Sequence, residues 1–176
     1  MDTTELWQKI KKGDKNAFSQ LFKLYYSDLM AYGIKIAGQE TYAKEAIQLL
    51  FVKIWNKRAT LKEITSVKSY LLTAYRRTLI DFLATEKKQQ QLTATTPTFT
   101  IAPSDLQIIQ QDKKIQVTRL AELLNQLPTK QKEIIYLRFY NHLSYLEIAE
   151  IIDLNYQSVR NYSVKAIRFL RENWQK

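Results

Sequence analysis

The sequence predicts an all-α protein, two small helical domains joined by a flexible linker, with a helix-turn-helix in the second. Three observations predict it. Only 3 glycines and 3 prolines interrupt the 176 residues, and the glycines all precede residue 39, so most of the chain lacks helix breakers. Apolar residues recur at three- and four-residue steps in both halves, the spacing of one helical face. Between the halves lies QQQLTATTPTFTIAP, residues 89–103, with no charge, five threonines and two prolines. Such a tract has too little apolar periodicity to offset the entropy lost on ordering. The expected boundaries are a domain over 1–88, a linker over 89–105 and a domain over 106–176.

In the first domain Phe18, Leu21, Phe22, Tyr25 and Leu29 share one helical face, and Asp14 after Gly13 is placed to cap that helix. Ala43, Ile47, Leu50, Phe51 and Ile54 repeat the pattern after a break around Gly38. A third run, Val67, Tyr70, Leu71, Ala74, Tyr75 and Leu79, follows Ser66. In the second domain a helix is expected from Leu106 to Leu127, ending because proline at 128 disfavours helical backbone in the residue before it. Thr129 is placed to cap a helix through Ile134, Ile135, Leu137 and Arg138 to Tyr140. Ser144-Tyr145-Leu146-Glu147 fits a capping box, in which serine and glutamate side chains each satisfy a backbone amide of the other. That box starts a helix through Ile148, Ala149, Ile151 and Ile152. A tight connection, Asp153-Leu154-Asn155, leads to a last helix from about Gln157 to Trp174. No internal repeat is present.

The chain carries 27 Lys+Arg against 17 Asp+Glu, a formal charge of +10, which suits a polyanionic partner, nucleic acid or an anionic membrane surface. Both ends share the excess: residues 1–88 hold 16 basic and 9 acidic groups, residues 117–176 hold 9 and 6. With no cysteine and a single histidine, His142, neither a disulfide frame nor a thiolate or imidazole metal cluster can form. No cofactor and no metal are expected. The first residues lack a basic region followed by an apolar run, and no stretch approaches the roughly 18 apolar residues of a membrane span, so no integral membrane segment and a cytoplasmic location are expected.

Residues 144–168 have the form of a helix-turn-helix. A small residue, Ala149, stands where two helices must cross closely, and Asp153 or Asn155 can adopt the positive φ that the turn needs. Ile148, Leu154 and Val159 would close its core. The last helix then presents Gln157, Ser158, Arg160, Asn161, Lys165 and Arg168 outward. Arginine, asparagine and glutamine can pair bidentately with base edges, while lysine and serine commonly hold phosphates. The plainer reading is a solvated polar face.

The tract LPTKQKEIIYLRFYNHLSYLEIAEIIDLNYQSVRNYSVKAIRFLR resembles the C-terminal promoter-binding domain of extracytoplasmic-function (ECF) sigma factors of bacterial RNA polymerase. DKNAFSQLFKLYYSDLMAY, EAIQLLFVKIW and SYLLTAYRRTLIDFL are similar to that family's N-terminal domain, in the same order. The resemblance implies an alternative sigma factor with no catalytic residues, two promoter contacts, and core polymerase (the β′ coiled coil and the β flap) as partner. It further implies an anti-sigma partner. Carried over by position, Gln48, Leu49, Val52, Lys53 and Trp55 fall on the polymerase-docking helix, and Leu49 departs from the family's acidic residue. Residues 58–66 correspond to the loop that holds a flipped base of the minus-ten element. Arg58, Lys62, Lys68, Arg76 and Arg77 would supply charge there, and Tyr70 and Tyr75 stacking surfaces, although both tyrosines also lie on the apolar stripe. Arg77 stands where the family often has asparagine. Arg160, following Val159, matches the family's basic residue in the helix that reads the minus-thirty-five element.

The rival readings are a standalone helix-turn-helix regulator binding paired half-sites, and a protein-only adaptor. An enzyme has little support: Asp81, Glu86, Glu147 and Glu150 are spaced as solvated or capping carboxylates, and no glycine-rich phosphate loop is present.

Overall fold

The computed structural model describes residues 2–90, 99–106 and 114–174. Among them there is no strand, and the chain divides into two compact units, Met1–Pro97 and Thr98–Lys176.

Four helices build the first unit, α1 (Thr3–Lys11), α2 (Lys15–Ala37), α3 (Glu40–Asn56) and α4 (Val67–Gln90), with a 3-10 turn at Arg58–Thr60. Asp14 caps α2 as expected, its carboxylate accepting from the amides of Asn16 at 2.8 Å and Ala17 at 3.0 Å. Gly38 ends α2 at φ 70°, a left-handed cap that costs glycine nothing. Leu21, Leu29, Ile47, Leu50, Leu71 and Leu79 form the centre of the core, the stripes expected from periodicity. Helix α1 was not among the expected elements. It buries Leu6, Trp7 and Ile10, too few repeats over 9 residues for periodicity to mark it.

Tyr75 is wholly buried at 0% exposure, and its hydroxyl donates to the carbonyl of Ala43 at 3.0 Å. Gly33 makes that bond possible: a Cβ there would lie 1.8 Å from the Tyr75 hydroxyl. Burial pushes the phenol well above its ordinary range.

The second unit holds α5 (Lys114–Gln126), α6 (Thr129–Ile135), a π-helical turn at Tyr136–Tyr140, α7 (Tyr145–Ile152) and α8 (Tyr156–Trp174). Several expectations change here. Residue 106 lies outside a helix, residues 107–113 lie outside those described, and the helix expected from Leu106 is seen from Lys114. Thr129 is inside α6 with Pro128 at the cap position. Proline is suited to this end because it lacks an amide that would otherwise go unpaired. The helix expected to run to Tyr140 gives way at Tyr136 to the wider turn.

The linker expected over 89–105 is narrower at both ends. Gln89 and Gln90 finish α4, and residues 91–98 lie outside those described. Phe99 and Ile101 are buried in the second unit, Phe99 edge-on to Tyr136 at 5.5 Å. Asn125 clamps this segment through the backbone. Its carbonyl oxygen accepts from the Ile101 amide at 3.0 Å, and its amide donates to the Ile101 carbonyl at 2.8 Å. Composition misses this because two side chains and one amide pair outweigh the polar threonines around them.

Candidate nucleic-acid and protein interfaces

The helix-turn-helix is assembled by local chemistry. The Ser144 hydroxyl accepts from the Glu147 amide at 3.2 Å and the Glu147 carboxylate accepts from the Ser144 amide at 2.9 Å, the expected capping box. Asp153 takes the positive φ, 56°, at the end of α7. Asn155 opens α8 instead, its side chain accepting from the Ser158 amide at 2.7 Å. Ala149, Ile148 and Val159 are buried at the crossing. Tyr145 adds a tie that sequence reasoning missed: its hydroxyl shares a hydrogen bond of 3.0 Å with buried Ser163 of α8. Arg138 covers the Tyr145 ring at 4.9 Å and donates to the Leu143 carbonyl at 2.8 Å, so the entry to α7 is held from both sides.

On α8, Gln157, Arg160, Asn161, Lys165 and Arg168 are exposed and Ser158 is half-buried. Their spacing puts them along one stripe of the helix. Gln157 and Asn161 hydrogen-bond to each other at 3.0 Å, which orients both amides before any partner arrives. Exposed Tyr156 and Val164 border the same stripe. Sequence reasoning did not single them out, yet the N-terminal end of a recognition helix reaches base edges, and an apolar side chain can meet a thymine methyl.

The residues expected to hold an unpaired base are not equivalent. Tyr75 is a core residue, so its expected role as a stacking platform does not hold. Tyr70 is half-buried, edge-on to Trp7 at 5.0 Å, and burial raises its phenol above the ordinary value. The Arg58 guanidinium lies over the Trp55 ring at 4.5 Å and donates to the Trp55 carbonyl at 2.8 Å. Lys68 pairs with Asp28 at 3.4 Å. Lys62 and Arg77 are exposed and Arg76 is half-buried. The structure therefore brings Arg58, Lys62, Lys68 and Tyr70 around the loop and removes Tyr75 from its surface.

On α3, Gln48, Leu49, Val52 and Lys53 are all exposed, Leu49 at 42% and Val52 at 57%. On this exposure Leu49 and Val52 lie outside the core stripe, whereas Leu50 between them, 2% exposed, belongs to it. Trp55 is half-buried instead, tilted against Phe18 at 5.0 Å. Among the described residues no group of three His, Cys, Asp or Glu is placed to hold a metal ion, and no helix is long and apolar enough to cross a membrane.

A helical unit with exposed apolar side chains on α3 is joined in one chain to a unit whose capped helix-turn-helix presents amides and cations, an arrangement met in DNA-binding proteins. Comparisons give the family. Residues 21–89 match the model for sigma-70 region 2 and residues 118–170 that for sigma-70 region 4, together about two thirds of the chain. The ECF RNA polymerase sigma factor SigK of Mycobacterium tuberculosis is 22% identical over 176 residues, covering 97% of this chain and 92% of that protein. RNA polymerase sigma factor SigV of Bacillus subtilis is 29% identical over 131 residues, 73% and 74% of the two chains. The fold is also that of CnrH, solved with the cytosolic domain of CnrY (TM-score 0.64, 18% identity, 97% and 96% covered). It is likewise that of the sigma factor RpoE of Bartonella quintana, solved with the anti-sigma factor NepR (TM-score 0.63, 20% identity, 88% and 94% covered). The chain belongs to the ECF sigma factor family and acts as an alternative sigma factor directing transcription, the work of a non-catalytic initiation factor.

Proposed function

We propose that the two units divide promoter recognition and polymerase docking as follows. The exposed α3 face of Gln48, Leu49, Val52 and Lys53 docks on the β′ coiled coil of core polymerase, with Trp55 buttressing it from behind. Leu49 supplies apolar contact where relatives place a charge, because burying apolar area is favourable and needs no partner of fixed geometry. The loop over residues 58–66 takes an unpaired base of the minus-ten element, with Arg58, Lys62, Lys68, Arg76 and Arg77 holding phosphates and Tyr70 offering a partial ring edge. Helix α8 reads the minus-thirty-five element through Gln157, Ser158, Arg160, Asn161, Lys165 and Arg168, and the second unit meets the β flap. The protein works in the cytoplasm beside polymerase, catalyses no reaction itself and needs no cofactor. An anti-sigma protein holds it inactive by covering apolar surface, for which exposed Leu49 and Val52 are suited.

The observation that carries this reading is the pre-oriented Gln157–Asn161 pair, with Arg160 beside it, on a helix whose entry is capped. A run-off transcription assay with core enzyme and a promoter library tests it. Specific initiation dependent on this chain is expected, with binding that falls steeply as salt rises. No specific transcript and no co-purification with β′ would end the proposal. Footprinting of a palindrome without polymerase would point to the standalone regulator.

A further inference from the structure

We infer that helix α1 is a brace for the base-capture loop, with Trp7, Lys11 and Glu63 as positioning residues, an inference that rests on reading residues 58–66 as that loop. Residues 61–66 belong to no helix, and ordering such a stretch costs about 1–2 kcal/mol per residue in backbone entropy. The loop can be ready for a base only if contacts elsewhere hold it.

Those contacts come from α1 and the turn after it. Buried Trp7 donates its indole N–H to the Lys62 carbonyl at 3.2 Å, and its ring meets Tyr70. Gln8 and Lys11 both donate to the Glu63 carboxylate. Gly13 lies against Arg58, close enough that a Cβ would sit 3.6 Å from its Nε. Four positions, Arg58, Lys62, Glu63 and Tyr70, are thus backed by α1 and the turn that follows it. The same contacts settle the local charge. Glu63 is an acid in a segment that otherwise presents Arg58, Lys62 and Lys68, and an uncompensated carboxylate there would repel a nucleic-acid strand. Lys11 supplies the compensation, and with Gln8 it holds the Glu63 carboxyl below the ordinary carboxylate range.

The test uses the full chain bound to core polymerase. Two affinities are measured on the promoter selected in the run-off assay: for a labelled single strand carrying the minus-ten sequence, and for a duplex carrying the upstream element. Trp7→Phe keeps an aromatic ring toward Tyr70 and loses the N–H together with part of the indole's volume; it should weaken strand capture at least about fivefold, the worth of the one net hydrogen bond, and leave duplex affinity unchanged. Lys11→Met should weaken strand capture by a similar factor, and adding Glu63→Gln should restore most of it, since the unpaired carboxylate is then gone. A merely structural pair would show no such rescue. Strand capture by Trp7→Phe and Lys11→Met equal to that of the unmutated chain would overturn the brace, as would an equal fall in duplex affinity. If the unmutated holoenzyme does not prefer the minus-ten strand to a scrambled one, the reading of the loop fails and the brace falls with it, a result distinct from a strand captured equally by all variants.

Discussion

Replacing Gly33 by alanine should destabilise the first unit, although a glycine-to-alanine change inside a helix ordinarily stabilises. The new Cβ would lie 1.8 Å from the Tyr75 hydroxyl, 2.8 Å from its Cζ and 3.0 Å from the Ala43 Cβ. Tyr75 must withdraw, and its bond to the Ala43 carbonyl, 3.0 Å long, breaks. Overpacking costs about 1–3 kcal/mol and a stranded buried hydroxyl about 1–3 kcal/mol. Against these, alanine's helix propensity returns about 1 kcal/mol, so the net loss is about 1–5 kcal/mol by these figures. Tyr75→Phe removes the hydroxyl, and in that background Gly33→Ala should cost only about 1 kcal/mol, since the ring carbon needs to give a little. Urea unfolding followed by tryptophan fluorescence in a Trp174→Phe background reads the first unit alone, because the remaining tryptophans, Trp7 and Trp55, both lie there. A loss below about 0.5 kcal/mol, or the same loss with and without the Tyr75 hydroxyl, would refute the reasoning and return Tyr75 to the list of possible base platforms.

Four further outcomes are expected. Leu49→Glu with Val52→Glu should change stability by no more than about 0.5 kcal/mol, since both are exposed, while reducing association with core polymerase more than about tenfold, measured by pull-down or competition with the unmutated chain. Arg160→Ala should cost about 1–3 kcal/mol in binding to the upstream duplex and leave polymerase binding intact; loss of both would indicate unfolding. Ser144→Ala removes the cap of α7 and should cost the second unit about 1 kcal/mol, read from Trp174 fluorescence. In alkali the first unit should weaken. Tyr75, Tyr25 and Tyr70 all ionise above their ordinary value when folded, each first of all because burial disfavours the phenolate. The unfolded chain therefore loses protons first, and stability, complete below about pH 10, declines as pH rises beyond it. A denaturation midpoint independent of pH between 9 and 11 would contradict this, and Tyr75→Phe should flatten the decline.

The elements that local chemistry specifies were legible without coordinates. Asp14 before α2, the Ser144–Glu147 box and the stripe of Ile47, Leu50 and Ile54 each depend on residues within a few positions of one another, and a helix repeats them regularly. The outward set on α8 was legible for the same reason: with Val159, Ser163 and Ala166 facing inward, Arg160, Asn161 and Lys165 fall on the opposite side of the helix. Fold class and the exposed face of α8 therefore follow from sequence alone.

What sequence left open were questions of partnership over long separations. Tyr70 and Tyr75 both lie on the same apolar stripe, and periodicity cannot tell which one is sealed. Tyr75 is, because Gly33 leaves room for its hydroxyl to reach Ala43, 32 residues away in the chain. Leu50 falls on the stripe by its spacing, but only the packing of α3 decides that its neighbour Leu49 faces outward. Phe99 and Ile101 look like linker until Tyr136 and Asn125 are brought against them. Trp7 and Glu63 carried no local signal of their bearing on the loop. Sequence by itself determined the all-helical class, the runs that became α2, α3, α4, α7 and α8, and where α8 points its cations and amides, since those depend on steps of three and four residues. Tertiary structure alone decided which aromatic rings are core and what holds the loop, because burial and hydrogen bonding are shared by residues that the chain places far apart.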